Sequence, residues 1–120
     1  AASDVYKRQT AGEASVIGIS DGKRYRLRLR DIFYFEIVEG RSFLYCEDRV
    51  FECRQKLYEF ETLCRGSMLF RCSKSMILNT DKIACVRPSV SGRFEATLVN
   101  QEKVIISHQY VGELKRMLGI

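Results

Sequence analysis

The chain has 120 residues, 20 Lys+Arg against 15 Asp+Glu, a formal charge of +5, one Pro and no Trp. That length fits one domain, and 46% hydrophobic with 29% charged residues excludes a dominantly disordered chain. No apolar run approaches the ~20 residues that a membrane-spanning helix needs.

The first residues stand apart. Asp4-Val5-Tyr6-Lys7-Arg8-Gln9 resembles the in-frame translation of a transposase recognition end used to fragment DNA. Residues 1–9 are therefore expected to be a cloning-derived scar, with the native gene continuing upstream and one domain over residues 10–120. Residues 1–15 hold only scattered apolar side chains, without the apolar stretch of a signal peptide.

From there the chain reads as strands. Ser15–Ser20 is a short apolar run closed by Asp21-Gly22, a hairpin signal. Lys23 to Arg30 alternates, with Tyr25, Leu27 and Leu29 on one face and Arg24, Arg26, Arg28 and Arg30 on the other, the pattern of a half-buried strand. Ile32–Val38 is apolar on both faces, which predicts a central strand. Glu39-Gly40-Arg41 turns the chain, and Ser42–Cys46 and Val50–Cys53 form the next hairpin.

The period then changes. Leu57, Phe60 and Cys64 predict a helix over 54–65, ended by Gly66. Strands follow at Met68–Cys72, Ile83–Arg87, Arg93–Val99 and Lys103–Ile106, with loops at Asn79-Thr80-Asp81 and Ser89–Gly92. Ser107 is placed to N-cap a last helix with Val111, Leu114 and Leu118 as its stripe and Gly119 at its end. The expected class is mainly β, with short antiparallel strands and two short helices.

Five cysteines (46, 53, 64, 72 and 85) make an odd number, and none of them form a Cys-x-x-Cys pair. They read as reduced, mostly buried thiols in a reducing cytoplasm, with no metal or cofactor expected. Catalysis has little to work with. His108 is the only histidine, nothing places a nucleophile beside it, and the glycines lack phosphate-loop spacing. An enzyme is not expected.

The cations say more. The Arg24/Arg26/Arg28/Arg30 row either touches a nucleic-acid backbone or guards an exposed strand against edge pairing. Lys74 lies in a polar loop between apolar runs, and His108 and Gln109 follow the last strand. Loops on a β scaffold are suitable places for recognition. Asn79 reads as a turn-holder, and Phe70, Ile77 and Leu78 as core.

Phe70-Arg71-Cys72-Ser73-Lys74-Ser75-Met76-Ile77-Leu78-Asn79 resembles the signature of the LytTR DNA-binding domains of bacterial transcription regulators. Asp31-Ile32-Phe33-Tyr34-Phe35-Glu36 is similar to that family's earlier strand motif, Leu57-Tyr58-Glu59-Phe60-Glu61 to its short helix, and Val104 to Val111 to its last strand and turn. The resemblance runs in order from about Lys23 to Ile120. It implies packed sheets of short antiparallel strands, and loops that enter successive major grooves at promoter direct repeats. It places DNA contacts at Arg41 and Ser42, at Ser73 and Lys74, and at His108 with Gln109.

Three residues, at two places, depart from the family. Many members carry His-Arg at Ser73-Lys74, and most carry Arg at His108, a change that removes the bidentate guanine contact. The Ser-Lys-Ser version resembles small stand-alone regulators paired with a small membrane protein. Pairing of two copies on DNA is a further implication. The alternative reading is a protein-interaction module with drifted loops, controlled by a membrane or regulatory partner.

Overall fold

Tight turns cut the chain into ten strands and two helices in the computed structural model, which describes residues 14–120. The segment 1–9, expected to be a scar, lies outside the described residues. The strands are β1 (Ser15–Ser20), β2 (Lys23–Arg28), β3 (Tyr34–Val38), β4 (Arg41–Tyr45), β5 (Val50–Cys53), β6 (Leu69–Ser73), β7 (Met76–Asn79), β8 (Ile83–Pro88), β9 (Phe94–Leu98) and β10 (Lys103–Ile106). The helices are α1 (Leu57–Leu63), between β5 and β6, and α2 (Val111–Leu118), after β10. All pairings are antiparallel. They build a seven-stranded sheet in the order β2-β1-β5-β4-β3-β7-β6 and a three-stranded sheet in the order β10-β9-β8. The mainly β class expected from the sequence is the one observed.

Two of the hairpins close through left-handed pairs. Asp21 and Gly22 have φ of 51° and 74°, and Glu39 and Gly40 have 51° and 77°. Such turns match the right-handed twist of their strands. Arg41, expected within a turn, is instead the first residue of β4.

Alternation along the strands sorts side chains between two cores. Phe35, Leu44, Phe51, Leu69 and Ile77 join Ile32 and the α1 residue Phe60 in the first. Tyr34, Phe70, Leu78, Ala96, Leu98, Val104 and Ile106 join the α2 residues Val111 and Leu114 in the second. Neighbours such as Tyr34 and Phe35, or Ile77 and Leu78, enter different cores, which is why Ile32–Val38 is apolar on both faces. β3 is central as expected, between β4 and β7. The rings of Phe35 and Phe60 stack at 4.5 Å, fixing the seven-residue α1 to the sheet. A helix that short depends on such packing.

Several boundaries differ from the sequence reading. β2 ends at Arg28, and one 3-10 turn over Leu29–Asp31 carries Leu29 into the first core. The predicted helix 54–65 shortens to 57–63, where the Glu59 carboxylate accepts from the Lys56 N–H at 2.8 Å and caps the first turn. Met76–Asn79, not predicted as a strand, pairs with both β3 and β6. Ser107 makes no side-chain cap, because a 3-10 turn over His108–Tyr110 intervenes before α2. Asn79 is fully buried. Its amide donates to the Ile32 carbonyl at 2.9 Å and its oxygen accepts from the Asp81 N–H at 2.8 Å, the turn-holding role its residue type suggests.

Candidate nucleic-acid interface

Strand register brings separate turns to one end of the molecule. The pairing of Glu36 with Met76 sets the β3–β4 turn beside the β6–β7 turn, and the Ile37 N–H donates to the Ser75 carbonyl at 2.9 Å. The Ser107 N–H donates to the Cys72 carbonyl at 2.9 Å, which brings the turn over His108–Tyr110 to the same place. The β8–β9 turn is close by. A Cβ added to Gly92 would lie 2.5 Å from the His108 ring, so that ring rests directly on the Gly92 backbone.

The sequence-predicted residues play unequal parts here. Lys74 is exposed, and its ammonium has no partner among the described residues. His108 and Gln109 are exposed on their turn. Arg41 is exposed but tied to Glu52 by bonds of 3.2 and 2.7 Å, and that carboxylate raises its pKa. Ser42 is buried, and its hydroxyl donates to the Gln55 carbonyl at 2.7 Å. The Ser73 hydroxyl accepts from the Ser75 N–H at 3.2 Å, bracing its own turn.

Arg71 was missed as a site residue. Its guanidinium donates to the Ser73 carbonyl at 2.6 Å, to the Lys74 carbonyl at 3.0 Å and to Glu61 of α1 at 3.1 Å, and lies 5.8 Å from the Tyr110 ring centroid. One side chain thus binds the β6–β7 turn to α1 and to the turn before α2. A register shift between Arg71 and Ser73 sets up this geometry by bending β6 at the buried Cys72. A charged residue within Phe70-Arg71-Cys72 was the available signal. Arg93, also exposed at this end, follows Gly92 in the β8–β9 turn and donates to the Val90 carbonyl at 3.3 Å.

The chemistry suits contact rather than catalysis. Burial pushes the Cys72 thiol up to about 12, so the thiol nearest these turns stays protonated at neutral pH. Both helices are short and turn apolar residues into the cores. The exposed Lys74 and Arg93 sit on hairpin turns, and His108 and Gln109 on the 3-10 turn before α2. These features make a surface that presents polar and cationic groups on turns.

The family follows from comparison with known proteins. The chain belongs to the LytTR family, whose model, the LytTr DNA-binding domain, matches residues 22–119. Sensory transduction protein LytT of Enterococcus faecalis is 26% identical over 96 residues, which are 80% of this chain and 40% of that protein. The chain therefore spans less than half the length of that relative. A solved LytTr DNA-binding domain from Bacillus cereus has the same fold, with a TM-score of 0.82 at 22% identity over 90% of this chain and 99% of that one.

Proposed function

We propose that this domain is the sequence-reading part of a bacterial transcription regulator working in the cytoplasm. Turns, rather than a recognition helix, carry its contacts. Lys74, His108 and Gln109 meet base edges or phosphates, and Arg41 is drawn from Glu52 toward a phosphate. Ser42 and Ser73 hold the turns that present them. The target is a pair of direct repeats in a promoter, read in successive major grooves by two copies side by side. A small membrane protein is the proposed source of control.

The observation that carries this reading is the convergence of separate turns around Lys74, whose ammonium has no partner among the described residues. The charge of +5 is modest, so few phosphates are neutralised and base contacts supply much of the discrimination.

The test is fluorescence anisotropy of the chain with the duplex upstream of its own gene, beside a scrambled duplex, at two salt concentrations. Tighter binding to the native duplex, weakening as salt rises, is the expected result. Equal weak binding to both, unchanged by Lys74→Ala and by His108→Ala, would show that the turns do not read DNA and leave the interaction-module alternative.

A further inference from the structure

The seven-stranded sheet has an open edge whose charge is unusual. Among the described residues, β2 is hydrogen-bonded on one side only, to β1. Along such an edge, alternate residues direct their N–H and C=O away from the neighbouring strand. Lys23, Arg24, Arg26 and Arg28 are all exposed along it. Arg24 and Arg26 have no partner among the described residues. Between them, Tyr25 and Leu27 face the first core but are only partly buried. The Arg49 guanidinium lies 4.7 Å from the Tyr25 ring centroid and closes that side with another cation. The edge therefore presents arginines on one face and part of an aromatic and a leucine on the other.

The geometry points to a docking edge for an extended, acidic segment of a partner protein. Such a segment adds as a strand beside β2, with Asp or Glu at alternate positions opposite the arginines and aliphatic residues between them beside Tyr25 and Leu27. A second copy of this chain does not fit, because pairing β2 with β2 sets arginine rows against each other. A duplex held by the turns does not fit either. β1 meets β5 at Ile19 and Glu52, and Ser42 of β4 pairs with Cys53. The Asp21-Gly22 turn therefore lies at the opposite end of the sheet from Gly40 and Lys74. Arg24 stands four residues, about 14 Å of strand, beyond Arg28 in that direction. An occupied β2 edge leaves the turns open, so this inference does not depend on the DNA-reading assignment.

The probe is a labelled eight-residue peptide of alternating Glu and Val, compared with a peptide of the same composition in Glu-Glu-Val-Val blocks. The chain is expected to bind the alternating peptide at least tenfold more tightly. Arg24→Glu with Arg26→Glu should abolish that preference, and Lys74→Ala should leave it unchanged. A matched thermal unfolding curve establishes that the double variant is folded; Arg24→Gln with Arg26→Gln serves if it is not. Equal binding of the two peptides would reduce the edge to undirected charge attraction and overturn the proposal. No peptide binding, with a tenfold loss of random-duplex affinity in the double variant, would make the row a phosphate contact and overturn it equally.

Discussion

At the residue scale, the sequence marked Lys74, His108 and Asn79, but not what each side chain touches. Lys74 was legible because a cation in a polar loop between apolar runs has no core role, and the structure leaves its ammonium without a partner among the described residues. Lys74→Ala should weaken binding to the native duplex by about 1–3 kcal/mol, read as a rise in Kd, with the fold unchanged. Gly92 was legible only as a loop residue, since its contact with His108 spans 16 positions of sequence. Its φ of +75° and its packing against the imidazole leave no room for a methyl group. Gly92→Ala should cost about 1–3 kcal/mol in thermal unfolding, and His108→Ala in the same chain should restore the part due to the clash. The buried thiols set a pH limit. Burial pushes Cys64 and Cys72 up to about 12, and Cys46 to about 11, from an ordinary 9.0. The folded chain holds these protons more tightly than the unfolded chain, so unfolding releases them as the pH rises. Stability is fully present below about pH 9 and is lost between there and about 12. Urea midpoints measured from pH 7 upward should stay level to about 9 and then fall.

At the element scale, hairpins joined by Asp21-Gly22 and Glu39-Gly40 were readable because their turn residues take the required left-handed backbone. β7 was not, because four residues, Met76–Asn79, are too few for a period and their identity as a strand comes from β3 and β6 on either side. The end of β2 was overrun because Leu29 stays on the apolar face through a 3-10 turn, so the alternation outlasts the strand. Arg71 belongs to this scale, since its reach to α1, to the β6–β7 turn and to Tyr110 exists only once three elements are packed. Arg71→Ala should loosen the Lys74 turn. Duplex affinity should fall while the slope of affinity against salt stays as in the parent chain, because Arg71 positions the turn without neutralising a phosphate. Lys74→Ala, if Lys74 meets a phosphate, should instead lower that slope by about 1. A salt slope reduced by Arg71→Ala would make Arg71 a DNA contact.

Across the whole molecule, β3, β6 and β7 line both cores at once, so neither core can be lost without disturbing the other. The β1–β2 hairpin stands differently. Six registered pairs hold β1 to β2, whereas a single one, Ile19 with Glu52, joins β1 to β5; β3 and β4 share five. This two-stranded piece is anchored mainly by Val16, Leu29, Tyr25 and Leu27 against the first core. In native-state hydrogen exchange its amides should trade with solvent at least tenfold faster than those of β3 and β4, through an opening smaller than global unfolding. Equal protection of the two hairpins would show that the sheet opens only as one unit. A hairpin that opens at Ile19 would give the domain two clocks: a fast one at the β2 edge, where strands part and close, and a slow one at the turns around Lys74, which keeps time with the whole fold.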